Sequence, residues 1–140
     1  MGSFQPRRLL ITGGAGFIGS NLTRAVLAGL GGAELEQVVV LDALTYAGHQ
    51  VNLAGTEGDP RLHFVHGDIC DRPLVEKLFA DRAIDAVLHL AAESHVDRSI
   101  TDPMAFVKTN VIGTVNLLNA ARNLWQPGGY DGHVFYHVST

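Results

Sequence analysis

Gly13, Gly16 and Gly19 stand in a G-x-x-G-x-x-G spacing directly after the apolar run Arg8–Thr12. Glycines so spaced also serve ordinary turns, but a strand before them and a helix after them give them a chemical use. Gly13 permits a tight turn, Gly16 lets backbone amides approach a pyrophosphate, and Gly19 lets the helix pack close on a sheet. The helix N-terminus adds partial positive charge for the phosphates. Asp42 stands 23 positions after Gly19, at the end of a second apolar run. A carboxylate there can accept from both hydroxyls of an adenosine ribose and would repel a 2′-phosphate. No Arg or Lys follows directly to neutralise it, so the expected cofactor is NAD rather than NADP. The competing role for Asp42 is that of a turn or capping residue. Asp68 closes a third run, where it can accept the adenine amino hydrogens while Ile69 packs on the ring. Its competing role is N-cap of the next helix, for which Asp71 is the better candidate.

A fourth run leads into Leu90-Ala91-Ala92-Glu93-Ser94-His95-Val96-Asp97-Arg98-Ser99. Small Ala91 and Ala92 let backbone run along a cofactor, and Ser94 can reach its nicotinamide side or a substrate phosphate. His95, Asp97 and Arg98 read as a local charged network. Thr109 either bonds its own helix carbonyl or reaches toward the cofactor. No metal site is expected. Of seven histidines, His63, His66, His89, His133 and His137 lie in or beside strands without ligand spacing, and most read as packed or edge residues.

The elements that must position these residues alternate. Strands are expected at Arg8–Thr12, Gln37–Asp42, Leu62–His66, Ile84–Leu90 and Val134–Val138. Helices are expected from Phe17 to about Gly29, from Asp71 through Phe79, and as one long helix from Pro103 to Trp125. Residues Ala43 to Pro60 read as loop with one helical turn near Asn52. Buried strands alternating with helices predict an α/β fold, a Rossmann-type doubly wound parallel sheet of order 3-2-1-4-5 that stops after its fifth strand. The 140 residues are 46% hydrophobic and 17% charged with a net charge of −4, which fits a packed domain and offers no basic stripe for nucleic acid. Cys70 is the single cysteine, so no intrachain disulfide can form. No run approaches the roughly 18 apolar residues of a membrane helix, and Met1–Pro6 lacks a signal-peptide layout. A soluble cytoplasmic protein without nucleic-acid or membrane partners is expected.

Thr12-Gly13-Gly14-Ala15-Gly16-Phe17-Ile18-Gly19-Ser20 resembles the fingerprint of the extended short-chain dehydrogenases/reductases. Leu44-Thr45-Tyr46-Ala47-Gly48, His66-Gly67-Asp68-Ile69-Cys70-Asp71, Leu90 to Ile100 and His137-Val138-Ser139-Thr140 narrow the resemblance to the dTDP-glucose 4,6-dehydratases. The resemblance implies NAD as cofactor, dTDP-glucose as nucleotide-sugar substrate, a 4-keto-6-deoxy product of deoxysugar synthesis, and a homodimer to which the long helix contributes. It implies that Gly13, Gly16, Phe17, Ile18 and Gly19 line the pyrophosphate and ribose. Asp42, Ala43, Leu44 and Thr45 hold the adenosine ribose side, and Asp68 and Ile69 flank the adenine. Leu90, Ala91, Ala92, Glu93 and Ser94 run beneath the nicotinamide half, and Thr109 also touches the cofactor. Ser94 and Thr140 face the sugar nucleotide, and Thr140 acts catalytically by hydrogen-bonding the reacting oxygen. Enzymes of this family add an Asp–Glu pair directly after that threonine and a Tyr-x-x-x-Lys further on. Tyr46, Tyr130 and Tyr136 have no Lys four residues later. The expectation is therefore an incomplete NAD-binding domain over residues 1–140, lacking the substrate-binding part and inactive alone. The alternatives are a non-catalytic NAD-binding module and a related UDP-sugar epimerase or decarboxylase.

Overall fold

The computed structural model describes residues 4–30, 34–46 and 48–139. In chain order the elements are β1 (Arg8–Thr12), α1 (Phe17–Leu27), β2 (Gln37–Asp42), β3 (Leu62–His66), α2 (Arg72–Arg82), β4 (Ala86–His89), α3 (Val96–Thr101), α4 (Pro103–Val107), α5 (Thr114–Trp125) and β5 (Val134–His137). A 3₁₀ turn spans Gln50–Leu53, where one helical turn was expected, and a π-helical turn spans Lys108–Gly113. The five strands pair in parallel in the order β3-β2-β1-β4-β5, as the alternation predicts.

The inner strands are apolar throughout because both faces of the sheet are covered. Alternate residues point to opposite faces. Leu10, Val39, Leu41 and Val87 pack against Val75, Leu78 and Phe79 of α2 and Leu117, Ala121 and Trp125 of α5. Leu9, Ile11, Val38 and Ala86 pack on the opposite side with Val26 of α1. The C-terminal ends of the strands are left open between these layers, and the glycine loop emerges there.

Beyond small shifts at the ends of α1, α2 and β5, three elements differ from expectation. Val96–Thr101, expected as loop, forms α3, which buries no residue and so has no apolar stripe to announce it. The expected helix Pro103–Trp125 is divided by the π turn, although the backbone stays helical at Val107 and Gly113. The Thr114 hydroxyl donates back to Asn110 O at 2.9 Å, and a Cβ on Gly113 would lie 2.4 Å from Ile69 Cδ1. The turn therefore brings the chain hard against Ile69, three residues past the end of β3, a tertiary contact that a helical repeat does not register. Finally, β4 is shorter than Ile84–Leu90. Ile84 is buried, and its carbonyl accepts from Trp125 Nε1 at 2.7 Å. The Asp85 carboxylate accepts the amides of Arg7, at 3.2 Å, and Arg8, at 3.1 Å, closing the opposite end of the sheet.

Asp71 caps α2 by accepting from Leu74 N at 3.2 Å. The helix ends at Ala83, which is left-handed at φ 47 and ψ 50, with its amide on the carbonyls of Phe79 and Ala80. An L side chain costs about 1–2 kcal/mol in that region, and glycine avoids the cost at the expense of unfolded-state entropy. Ala83→Gly is therefore expected to stabilise the fold by about 0.5–1 kcal/mol, read as a raised urea midpoint with an unchanged slope. A lowered midpoint would refute this account of the cap.

Candidate functional site

A cavity of about 350 Å³ opens at the C-terminal ends of the strands, within the ~300–1,000 Å³ span of small-molecule sites. Gly13, Gly16, Phe17, Ile18 and Gly19 form one wall, and Asp42, Ala43 and Thr45 a second. Asp68 and Ile69 meet Thr109 across it, and Leu90 through Ser94 form its floor. Residues expected from five separate segments are thus brought together. Leu44 is the exception. It is absent from the lining and packs instead against the cluster of Ala15, Val40 and Leu53, with a left-handed backbone at φ 53. An apolar side chain beside a buried cluster gains more there than in a polar cleft. Thr140 lies outside the described residues. Leu41, Gly48, Gly67 and Val138, none of them among the expected site residues, also line the cavity.

The glycine wall is built by close approach. Gly13 has φ +69, and a Cβ on it would lie 2.8 Å from Ala91 N. A Cβ on Gly19 would lie 2.0 Å from Gly13 O, which no rotamer could relieve. The first turn of α1 has no side-chain cap, so its leading amides are free to bind an acceptor. Among the described lining residues there is no Lys or Arg. An anion held at the glycine wall meets backbone amides and the start of α1, while the carboxylates of the lining, Asp42, Asp68 and Glu93, belong to its other walls.

Asp42 is buried, and both of its oxygens are engaged by backbone. Oδ2 accepts from Ala15 N at 2.9 Å and Oδ1 from Leu44 N at 2.8 Å. The turn role weighed against the ribose role is therefore real. Each carboxylate oxygen retains a second acceptor site, so one role does not exclude the other. A Cβ on Gly48 would come within 2.5 Å of Asp42 Oδ1. Asp68 accepts from Cys70 N at 2.8 Å and leaves the capping of α2 to Asp71. The Cys70 thiol donates to Lys108 O at 3.2 Å, and burial, with Asp68 nearby, pushes its pKa up to about 11. At neutral pH it is therefore held as the thiol.

His95 and Arg98, two of the three charged residues after the floor, gather around Tyr46. The Arg98 guanidinium lies 4.7 Å from the Tyr46 ring centroid and the His95 ring 4.9 Å away, edge on. Ser94 N donates to Tyr46 Oη at 3.3 Å, which ties the loop after β2 to the loop after β4. Two further residues support the floor. Asn110, on the π turn, accepts from Glu93 N at 2.8 Å and donates to Glu93 O at 3.0 Å. His89, read from sequence as a packed histidine, is buried between Thr12 and Thr114. Both needed tertiary structure to be seen, because an Asn in a helical run and a His in a strand carry no signal of their partners.

A family model described as GDP-mannose 4,6 dehydratase matches residues 10–140. The dTDP-glucose 4,6-dehydratase 1 of Escherichia coli (strain K12) is 48% identical over 136 residues, 95% of this chain and 37% of that protein. The crystal structure of DesIV, a dTDP-glucose 4,6-dehydratase from Streptomyces venezuelae with NAD and TYD bound, superposes with a TM-score of 0.79 at 52% identity. The match covers 88% of this chain and 37% of that one. A UDP-glucose 4-epimerase from Thermus thermophilus in complex with NAD gives a TM-score of 0.70 at 37% identity over 84% of this chain and 34% of that one. The chain therefore spans a little over a third of the length of these relatives.

Burial, with the neighbouring His137 ring adding to it, lowers the pKa of His89 from 6.5 to about 4. The depressed value means that the unfolded chain takes up this proton first as pH falls. Stability is intact above about pH 6.5 and is lost progressively down to about pH 4, by about 3 kcal/mol in all for this group. Urea midpoints measured across that window are expected to fall. In His89→Phe the starting stability should be lower and the dependence on pH shallower. An equally steep dependence in the variant would sink the assignment.

Proposed function

The chain belongs to the GDP-mannose 4,6 dehydratase family, and we propose that it forms the NAD-binding part of a nucleotide-sugar 4,6-dehydratase acting on dTDP-glucose. The observation that carries this reading is the pairing of a cation-free, amide-lined glycine wall with a buried carboxylate beside it. The first suits a pyrophosphate, and the second suits a ribose with free hydroxyls and opposes a 2′-phosphate. NAD, when bound, supplies the hydride acceptor and donor that the reaction needs.

In this reading Gly13, Gly16, Phe17, Ile18 and Gly19 hold the pyrophosphate against the start of α1. Asp42 offers its remaining lone pairs to the ribose, with Ala43 and Thr45 beside it, while Leu44 acts through its backbone. Asp68 and Ile69 flank the adenine. Leu90 to Glu93 and Thr109 enclose the nicotinamide half, Ser94 also faces the sugar nucleotide, and Thr140 hydrogen-bonds the reacting oxygen. The proton-transfer groups belong to parts of the whole protein beyond these 140 residues. Residues 1–140 then make up one incomplete domain of a cytoplasmic enzyme. The exposed stripe of Met104, Val107, Val111, Val115 and Leu118 on α4, the π turn and α5 supports a homodimer.

The whole protein should convert dTDP-glucose to a product lighter by one water, seen by mass spectrometry. An isomer of unchanged mass would instead support the epimerase reading. Calorimetry should find NAD bound at least about tenfold more tightly than NADP, and equal or tighter NADP binding would refute the role of Asp42. Gly19→Ala, which drives a methyl into Gly13 O, should weaken NAD binding roughly a hundredfold.

A further inference from the structure

Thr12, His89 and Thr114 are all buried, and none of them lines the cavity. They form one hydrogen-bond chain whose direction can be worked out from both ends. Thr114 Oγ1 donates its only proton to Asn110 O at 2.9 Å. Toward His89 Nε2, at 2.8 Å, it can therefore only accept, so Nε2 carries hydrogen. At the other end Thr12 Oγ1 accepts from Leu90 N and Ala91 N, each at 3.2 Å, which uses both of its lone pairs. Toward His89 Nδ1, at 2.6 Å, it can therefore only donate, so Nδ1 is bare. The two ends independently require the same neutral Nε2–H tautomer. The other tautomer would set Nδ1–H against a filled oxygen and leave Nε2 facing a hydroxyl whose proton is already committed.

We propose that His89 is a positioning residue for the cofactor cavity. By accepting a hydrogen bond from the Thr12 hydroxyl and donating its own Nε2–H to Thr114, it turns the Thr12 oxygen onto the amides of Leu90 and Ala91 and holds the cavity floor. The chain continues beyond Thr114. Its last acceptor is the carbonyl of Asn110, whose side chain clamps Glu93 on both backbone groups. The floor from Leu90 to Glu93 is thus held from β1 at one end and from the π turn at the other, with His89 as the link. This rests on the NAD reading above, and it adds that floor geometry is set by a histidine that never touches the cofactor.

The test uses the whole protein with ¹⁵N-labelled histidine. At neutral pH the His89 signals should show an unprotonated Nδ1 and a protonated Nε2. An Nδ1–H tautomer or an imidazolium would overturn the proposal. In parallel, Thr114→Val should weaken NAD binding roughly fivefold to tenfold, the loss of about one net hydrogen bond, while Thr114→Ser restores it. NAD binding at wild-type strength in a folded Thr114→Val protein would also overturn the proposal. If the valine variant does not fold, the wild-type tautomer decides. A wild-type protein that takes up no NAD removes the cofactor reading and the positioning role with it, while the tautomer still reports on the direction of the chain.

Discussion

The buried carboxylate of Asp42 is the contact on which the cavity depends. A charge taken out of water must be repaid in hydrogen bonds, and Asp42 receives them from the amides of Ala15 and Leu44. The first amide lies within the glycine loop and the second begins the loop after β2. One residue at the end of β2 therefore fixes two walls at once. Gly48 shows how tightly this is done, since there is no room for a side chain beside Oδ1. Leu44 accepts a left-handed backbone, placing its amide on the carboxylate while its side chain joins the core.

The remaining walls are held by neutral hydrogen bonds, buried or partly so. Glu93 is clamped by Asn110, and Leu90 and Ala91 are engaged by Thr12. Such networks are strong in a low-dielectric interior when every member is satisfied. The π turn is part of this arrangement. It brings Thr109 to the cavity and Asn110 to Glu93 from adjacent positions, and it leaves Gly113 against Ile69. The site is thus a set of loops fastened to a sheet, and its shape is the shape of those fastenings.

Much of the fold was legible because buried strands and amphipathic helices leave distinct periodicities. β1, β2 and β3 run over the residues expected, and strand order followed from the handedness of crossovers. Most of the lining was legible because glycine spacing and strand-end carboxylates carry chemical meaning locally. The π turn, α3 and the inward turn of Leu44 were not legible. A one-residue bulge leaves the apolar pattern almost unchanged, and a six-residue helix with no buried face has no pattern to read.

The amino-acid sequence by itself determined the parallel α/β sheet, the glycine loop, and the carboxylates that end β2 and β3. These depend on residue type and on spacing over a few turns of chain. Only the tertiary structure decided that Asp42 binds its own loops as well as facing the cavity, that Asn110 holds Glu93, and that His89 must be the Nε2–H tautomer. Those outcomes depend on partners as far as 79 positions away in the chain. Hydrogen-bond direction is fixed only when both ends of a chain of donors and acceptors are in place.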